Sequence, residues 1–378
     1  MKIIKFGKSI ISDEGPCYVI AEIGHNHQGD LSQAIKMIEA AAQCGANAVK
    51  FQKRNNPLLF TNAMYQKPYD HENSFGRTYG EHREKLELTW EDYLSLKKCA
   101  EANDVEFICA PFDSSSVDFL VKLGVSCFKF ASGDITNIPL LVYAAKFKKP
   151  MFLSTGASTF EEIKLAYESV HKINDQICLM HCVSEYPAEY NHLNLNMIKT
   201  LKENFPDAVI GYSSHDNGIL APSIAYLLGA TVLEKHFTLN RAWKGTDHKF
   251  SLQPEGLRKQ IRDLKRMDVM LGSGIKKVES YEKEARSKMG KSIYLGKDLP
   301  AGHILQLEDL VIKSPAEGLK PYQLPHVIGK KLKVELKKET LLSLNNLEDS
   351  DENGNTQTRQ TKNRRRYNRP TLATGQSP

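Results

Sequence analysis

Eight short runs rich in β-branched and aromatic residues alternate with amphipathic helical patterns, and this alternation constrains the fold more than any other feature. Eight strands, each followed by a helix, within about 250 residues is the size of a (β/α)8 (TIM) barrel, which is therefore the predicted fold. A doubly wound sheet is the alternative, but no GxGxxG motif follows the first run. The runs are Cys17–Ile23, Ala48–Gln52, Val105–Ala110, Cys127–Ala131, Met151–Ser154, Ile177–Cys182, Ala208–Tyr212 and Thr231–Lys235.

Capping residues mark the helices between these runs. Asp30 precedes the first helical pattern, and Thr89 and Thr159 each precede an acidic first turn, so all three are predicted N-caps. Pro254 is predicted to begin the last barrel helix. The residues of that helix predicted to point inward are Leu257, Ile261, Leu264 and Leu271.

The character of the sequence changes after Gly274. Within the C-terminal part, Asp298–Leu310 aligns with Glu335–Leu347 with five coinciding apolar positions, which predicts a pseudo-symmetric β-rich domain. The last residues contain few apolar side chains, a composition typical of disorder. The predicted parts are a barrel (1–274), a charged helical linker (275–289), a small β-rich domain (290–347) and a disordered tail (348–378).

The composition excludes several classes of protein. The net charge is +6, and residues 348–378 contribute +2 of it (six Lys or Arg against four Asp or Glu), so the body is not expected to bind nucleic acid. No apolar run reaches about eighteen residues, so no membrane span is expected. Seven cysteines without a CxxC pair, and the absence of a signal-peptide core, predict reduced thiols and a cytoplasmic location.

Two histidines follow neighbouring strands of the predicted barrel. His215 and His236 come just after the seventh and eighth runs, and adjacent strands lie about 5 Å apart. Two imidazoles at that spacing can share Mn²⁺, Zn²⁺ or Fe²⁺, with water or substrate oxygens as the other ligands. The alternative is a pair of hydrogen-bonding histidines without a metal.

Two lysines lie inside apolar strands, where an unpaired charge is costly. Lys50 and Lys129 are therefore predicted either to bind an anion or to form a structural ion pair. Glu22 ends the first strand and is predicted to be an acid–base group or an orienting residue. Serines beside the strand-end turns complete a predicted phosphate site, namely Ser132, Ser154 and Ser213.

Two further features belong to the predicted barrel mouth. The segment 56–88 is long for a barrel loop and rich in Tyr, His and Arg, which is typical of a functional loop or one ordered by a partner. Cys182 near the end of a strand is either a lining residue of the site or a small core residue.

In combination and in this order, these motifs resemble the N-acetylneuraminate (sialic acid) synthase family. Residues 290–347 resemble the antifreeze-like (SAF) domain that follows the barrel in that family. The matching barrel segments are Ala21–Gly29, Lys50–Gln52, Lys129–Asp134, Ser154–Gly156, Ser184–Pro187, Gly211–His215, Glu234–Leu239 and Lys244–His248.

The resemblance implies a transferase. Phosphoenolpyruvate would condense with N-acetylmannosamine, or its 6-phosphate, and water, giving a nine-carbon 2-keto sugar acid and phosphate. It also implies a domain-swapped homodimer and a divalent cation, with Mn²⁺ expected and Mg²⁺ or Co²⁺ as alternatives. The implied roles are metal binding by His215 and His236, acid–base catalysis by Glu22, phosphoenolpyruvate binding by Lys50, Lys129, Ser132, Ser154 and Ser213, and sugar binding by Gln52, Asp134, Tyr186 and Asp247.

Three positions depart from the bacterial pattern of the family. Ser314 occupies the position at which bacterial members have an arginine before Pro-Gly. Ser214 occupies the position of an aspartate before the first metal histidine, and Asp134 that of a glutamate found in some members. Thr78–Arg83 and Trp243–Gly245 resemble the animal-type enzymes, which use the phosphorylated sugar. The acceptor therefore stays open between N-acetylmannosamine, its 6-phosphate and a legionaminic- or pseudaminic-type precursor.

Three rival functions remain on the same barrel. Lys50 or Lys129 could form a Schiff base with a 2-keto acid, as in a class I aldolase or lyase, which would leave the histidine pair without a purpose. A sugar-acid synthase of the shikimate branch is closer, but it lacks the small domain. The third rival is a non-catalytic barrel whose basic tail, Arg364–Arg369, binds RNA; deleting the tail should leave synthase turnover intact.

Overall fold

The computed structural model describes residues 2–348, which form two compact units: one ending at Ser273 and one beginning at Gly274. The predicted disordered tail, apart from Glu348, lies outside the described residues. The strands are β1 (Ile3–Phe6), β2 (Ser9–Ser12), β3 (Tyr18–Glu22), β4 (Ala48–Lys53), β5 (Glu106–Pro111), β6 (Phe128–Phe130), β7 (Met151–Ser154), β8 (Ile177–Cys182), β9 (Val209–Ser214), β10 (Val232–His236), β11 (Ser292–Leu295) and β12 (Leu310–Lys313).

The first unit is a closed barrel of eight parallel strands, β3 to β10, in sequence order. The barrel closes between β10 and β3, with His236 opposite Glu22. All eight predicted runs are barrel strands, and their observed ends differ from the predicted ones by at most two residues. The (β/α)8 prediction is confirmed, and the carboxyl ends of all eight strands point to one mouth.

Helices follow the barrel strands and cover the outside of the sheet. Three short helices lie in the long loop after β4, the segment singled out in the sequence. The helices are α1 (Leu31–Gln43), α2 (Asn56–Leu59), α3 (Asn62–Tyr65), α4 (Tyr79–Leu86), α5 (Trp90–Ala102), α6 (Ser114–Leu123), α7 (Ile138–Ala145), α8 (Phe160–His171), α9 (Met197–Asn204), α10 (Leu220–Leu227), α11 (Pro254–Leu271), α12 (Lys283–Met289) and α13 (Leu324–Val327).

The predicted helix caps are confirmed. Asp30 accepts hydrogen bonds from two backbone N–H groups of α1, and Thr89 and Thr159 form capping boxes at the starts of α5 and α8. In α11 one inward prediction is wrong: Leu271 is 60% exposed, whereas the other three predicted leucine and isoleucine positions are buried. Leu271 is the last residue of its helix, where the apolar face has already passed the end of the barrel core.

The N-terminal hairpin, β1 paired antiparallel with β2, closes the end of the barrel opposite the mouth. Its Phe6 packs edge-to-face against Phe152 of β7 and Tyr18 of β3, with ring centroids 5.5 and 5.7 Å apart. This hairpin joins the apolar side chains inside the barrel in one cluster. Since one end is filled by apolar side chains, the polar inward residues gather at the other end.

The second unit contains the internal repeat predicted from the sequence. Leu299 and Leu336, which occupy equivalent positions of the two halves, exchange backbone hydrogen bonds of 2.9 Å in both directions. The equivalent pair Leu305 and Leu342 is buried in the core of the unit. This reciprocal pairing is the arrangement expected of two halves related by a pseudo-twofold axis.

Candidate active site

The polar strand ends line a cavity of about 660 Å³ at the mouth of the barrel. Eleven of the twelve side chains predicted for the site lie in its wall. They are Glu22, Lys50, Gln52, Lys129, Ser132, Ser154, Tyr186, Ser213, His215, His236 and Asp247.

Asp134 is the exception, since it does not line the cavity. It belongs to a 3₁₀ turn, Ser132–Asp134, and receives a hydrogen bond of 3.4 Å from Asn137. Burial raises the pKa of its carboxyl to about 6. A 3₁₀ helix turns by about 120° per residue, so Ser132 and Asp134 point in different directions. The sugar-binding role of Asp134 stays a prediction, and its position gives that role no support.

The floor of the cavity is a buried cluster of two lysines and two carboxylates, which we call the ionic floor: Glu22, Lys50, Lys129 and Glu234. Lys50 Nζ lies 3.1 Å from Glu22 Oε2 and 3.3 Å from Glu234 Oε1. Lys129 Nζ lies 3.7 Å from Glu234 Oε2. All four side chains are at least 95% buried, so their interactions are only weakly screened by solvent.

Three serines surround the ionic floor. Lys129 Nζ donates to Ser154 Oγ at 2.5 Å, and Ser213 Oγ donates to Glu234 Oε1 at 3.1 Å. Ser132 Oγ accepts from the backbone N–H of Gly156 at 2.9 Å. The predicted phosphate-binding hydroxyls therefore meet the predicted lysines around one point of the cavity.

The two floor carboxylates differ in their proton affinity. Burial and the neighbouring charge of Glu234 raise the pKa of Glu22, against the pull of Lys50. Burial would also raise the pKa of Glu234, but the charges of Lys129 and Lys50 hold it below its usual range. A proton on the pair therefore resides on Glu22, a distribution that suits its predicted acid–base role.

Glu234 was not among the predicted site residues, although the sequence contained a signal for it. It lies two residues before His236 on β10, and alternate residues of a strand face the same side. The same alternation places Arg54 in the cavity beyond Lys50 and Gln52 of β4. Arg83 of the long loop also lines the cavity, and only the packing of that loop determines its position.

The two predicted metal histidines stand side by side at the mouth, with ring centroids 5.3 Å apart. His215 Nδ1 lies 2.7 Å from the carbonyl oxygen of Val183, which fixes the ring and leaves Nε2 as its free acceptor. His236 Nδ1 is buried and has no hydrogen-bond partner within residues 2–348, and it lies 3.6 Å from Asp247 Oδ2. Burial lowers the pKa of His236 to about 4, so its imidazole is neutral at pH 7.

These residues fit a divalent cation. A neutral imidazole with an unpartnered buried nitrogen beside a second imidazole is a suitable pair of ligands. Among residues 2–348, no group of three or more His, Cys, Asp or Glu side chains is arranged to hold a metal. The remaining ligands would therefore come from substrate or water, as in a catalytic rather than a structural site.

The predicted sugar contacts lie above the floor. Gln52 Nε2 donates to Glu22 Oε1 at 2.6 Å, and Gln52 Oε1 accepts from Arg54 at 2.7 Å. The ring of Tyr186 is half exposed and packs 4.1 Å from the ring of His215. Cys182 is a lining residue, with Sγ 3.9 Å from His215 Nδ1.

Of the three departures from the bacterial pattern, Asp134 and Ser214 belong to the barrel, and neither lines the cavity. Ser214 hydrogen-bonds Asp216 and accepts from Lys235 Nζ at 2.9 Å, in a fully buried network behind the histidines. Ser214 therefore supports the backbone of β9 rather than the site. Ser314 belongs to the second unit, where its Oγ accepts a hydrogen bond of 2.5 Å from Lys291.

Within residues 2–348, no helix combines the length and the apolar character needed to cross a membrane. The chain was also compared with known proteins. A model described as the NeuB family matches residues 37–276, and a model of the SAF domain matches residues 290–348.

Relatives of established name cover nearly the whole barrel and small domain. N-acetylneuraminate-9-phosphate synthase of Homo sapiens is 38% identical over 325 residues, which is 86% of this chain and 90% of that protein. N,N'-diacetyllegionaminic acid synthase of Legionella pneumophila is 36% identical over 338 residues, 88% of this chain and 95% of that protein. Among solved structures, the N-acetylneuraminic acid synthetase of Leptospira borgpetersenii matches with a TM-score of 0.65 and 33% identity, covering 75% of this chain and 96% of that one.

Proposed function

The chain belongs to the NeuB family, carries a SAF domain and is a transferase-type synthase, and we propose that it condenses phosphoenolpyruvate with an N-acetylmannosamine-type aldehyde and water. The products are a nine-carbon 2-keto sugar acid and phosphate. One observation carries this proposal: the ionic floor, with its three serines, lies in the same cavity as the adjacent imidazoles of His215 and His236. One cavity can thus hold the phosphate ester of phosphoenolpyruvate beside the aldehyde carbonyl of the acceptor.

Phosphoenolpyruvate is proposed to bind at the ionic floor. Lys50 and Lys129 would contact its phosphate, and the hydroxyls of Ser132, Ser154 and Ser213 would donate to the remaining oxygens. Because the lysines are already desolvated and held by Glu22 and Glu234, little reorganisation accompanies binding.

His215 and His236 are proposed to hold a divalent cation, with Mn²⁺ as the expected ion and Mg²⁺ or Co²⁺ as alternatives. When bound, such an ion acts as a Lewis acid toward the aldehyde carbonyl. Val183 fixes the orientation of His215 through its carbonyl oxygen, and Asp247 faces His236. These two contacts keep the imidazole nitrogens aimed into the cavity.

Glu22 is proposed to move the proton of the reaction. C3 of phosphoenolpyruvate forms a bond to the aldehyde carbon, whose oxygen takes the proton carried by Glu22 and becomes a hydroxyl group. C2 is left electron-deficient, and a water molecule adds to it while Glu22 accepts a proton from that water. The C2 hydroxyl group then passes its proton to the phosphate oxygen as the bond between C2 and that oxygen breaks, so phosphate leaves and the oxygen from water becomes the keto oxygen. Glu22 suits this role because its raised pKa makes it a stronger base than an exposed glutamate.

The proposal is tested by phosphate release from purified, metal-stripped protein. Phosphoenolpyruvate is offered with N-acetylmannosamine or its 6-phosphate, before and after addition of Mn²⁺. We expect release only with metal and acceptor together. His236→Asn should abolish the stimulation by metal, whereas His192→Asn, an exposed histidine paired with Glu185, should not. Release without an acceptor, or none with either sugar, would refute the proposed pair of substrates.

A Schiff-base lyase is a second candidate because burial lowers the pKa of Lys129, as nucleophilic lysines require. That lysine nevertheless donates to Ser154 and faces Glu234, contacts that suit a cation. Borohydride reduction in the presence of pyruvate should give no covalent adduct. An increase in mass at Lys129 or Lys50 would favour the lyase.

The acceptor class and the assembly are proposed on the family alone. The legionaminic acid synthase relative makes a legionaminic- or pseudaminic-type precursor the alternative acceptor. A domain-swapped homodimer would give a solution mass of twice 42.6 kDa, which sedimentation equilibrium can measure. A monomer at micromolar concentration would contradict it.

A further inference from the structure

A second cationic cluster lies in the cavity, separate from the ionic floor and formed by His25, Arg54 and Arg83. Arg54 follows β4 and is 8% exposed, and Arg83 belongs to α4 of the long loop. Their guanidinium groups both reach the imidazole of His25: Arg54 NH1 lies 2.8 Å from Nε2, and Arg83 NH1 lies 3.3 Å from Nδ1. All three side chains line the cavity.

This cluster has more hydrogen-bond donors than acceptors. A neutral imidazole has one acceptor nitrogen, so His25 can accept from only one of the two guanidinium groups. Burial, together with the charges of Arg54 and Arg83, holds the pKa of His25 well below its usual range, so the imidazole stays neutral and keeps its one acceptor nitrogen. One guanidinium N–H therefore faces His25 without a hydrogen bond to it.

The cluster also lacks a counter-ion among the described residues. Among residues 2–348, no carboxylate lies within ion-pair distance of either guanidinium group, and Glu87, which contacts the backbone N–H of Arg54, is paired with Lys53 at 2.7 Å. The lysines of the ionic floor, by contrast, face two carboxylates. An incoming anion would therefore meet uncompensated charge at the arginines.

The contacts that hold the two arginine side chains in place do not neutralise their positive charge. The Arg54 guanidinium stacks 3.6 Å from the ring centroid of Phe112 and donates to Gln52. Arg83 donates from Nε and NH2 to the hydroxyl group of Tyr79, one helical turn earlier, at 2.9 and 2.7 Å. Both side chains are fixed by neutral partners, which is the preorganisation that an anion site needs.

The position of the cluster indicates which ligand it meets. Lys50, Gln52 and Arg54 alternate along β4 and its extension, so Arg54 lies about 13 Å from Lys50 along the chain, toward the mouth. An acceptor whose aldehyde meets phosphoenolpyruvate at the floor has its far end toward the mouth. We propose, on the basis of the proposed function, that His25, Arg54 and Arg83 bind the phosphate monoester of a sugar acceptor, so that the substrate is the 6-phosphate.

The test compares Arg83→Gln with wild type in steady-state phosphate release. The wild type should prefer N-acetylmannosamine 6-phosphate to the free sugar. In Arg83→Gln the kcat/KM for the 6-phosphate should fall by about 10- to 100-fold, the energy of a charged hydrogen bond, whereas that for the free sugar and the KM for phosphoenolpyruvate should stay within about threefold. Arg77→Gln, an exposed arginine of the same loop that does not line the cavity, is the matched control.

Equal losses with both sugars, or a raised KM for phosphoenolpyruvate, would overturn the inference and assign the cluster to the loop structure or to phosphoenolpyruvate. Calorimetric titration of the full chain with N-acetylmannosamine 6-phosphate keeps the test independent of turnover. If Arg83→Gln binds N-acetylmannosamine 6-phosphate at least tenfold more weakly than the wild type, and the wild type turns over neither sugar, the phosphate site is supported but the proposed function is refuted. Equal affinity of the two proteins would overturn the site.

Discussion

Buried carboxylates face cations in both units: Glu22 and Glu234 in the ionic floor of the barrel, and Asp309 in the second unit. They differ in how completely their oxygens are hydrogen-bonded. Asp309 accepts hydrogen bonds from the backbone N–H of Gln306 at 2.8 Å and from His303 at 2.7 Å, and it lies 2.7 Å from Lys297. In the floor, Glu22 Oε2 and Glu234 Oε2 have no hydrogen-bond partner in the part of the chain that the structure describes.

The pKa shifts of Asp309 and Glu22 follow this difference, whereas two lysines lower the pKa of Glu234 although its Oε2 has no hydrogen-bond partner among the described residues. The three contacts of Asp309 outweigh its burial and lower its pKa to about 2, so the ionised form is stabilised by the fold. Burial raises the pKa of Glu22 in spite of its lysine, so its ionised form is destabilised. A carboxylate whose contacts are complete stabilises its domain, whereas an incomplete one keeps its proton available for a substrate.

The largest expected effect is on turnover. Glu22→Gln keeps the shape of the side chain and an acceptor for Gln52 but removes the base. The kcat should fall by about 10²- to 10⁴-fold, with little change in melting temperature because a neutral group replaces a destabilised charge. Glu101→Gln, a change at an exposed glutamate paired with Lys97, serves as the control. A loss smaller than threefold would contradict the assignment of Glu22.

The second effect is on stability. Glu234→Gln leaves Lys129 buried without a counter-ion, so the free energy of unfolding should fall by about 3 kcal/mol in urea titrations. The double variant with Lys129→Met should recover part of this loss, since the unpaired charge is gone. Equal stabilities of the single and double variants would show that the two side chains are not energetically coupled.

The smallest effect is confined to acid. The pKa of Asp309 is lower in the folded protein (about 2) than its ordinary value of about 3.9. Its contribution to stability is therefore present above pH 4 and is lost as the pH falls through about 2. At pH 5, amides of residues 290–348 should exchange about tenfold or more faster in Asp309→Asn than in the wild type, and the difference should shrink toward pH 2. A difference that does not depend on pH would contradict the role of the charge.

The sequence predicted the parts of the molecule that depend on local periodicity. The eight strands follow from short apolar runs. Lys50 and Lys129 follow from their places inside two of those runs, and His215 and His236 follow from their places just after two others, where a parallel barrel brings side chains together. Arg54 follows the same alternation along β4, so the same reasoning could have identified it as a residue of the cavity.

Other features depend on geometry that periodicity does not encode. A single 3₁₀ turn carries Asp134 away from the cavity wall, although Ser132 of the same turn lies in it. Arg83 reaches His25 across 58 positions of sequence because the short helices of the long loop fold over the mouth. Such contacts depend on tertiary packing, for which the sequence contains no local signal.

The reciprocal hydrogen bonds between Leu299 and Leu336 have a consequence for ancestry and for engineering. Each half of the second unit supplies the backbone partners that the other half lacks, so a peptide of one half has an unfinished edge that a copy of itself would complete. Duplication and fusion of a short self-pairing peptide would leave this pattern of an internal repeat with a reciprocal backbone pair. A minimal design should likewise start from two identical chains.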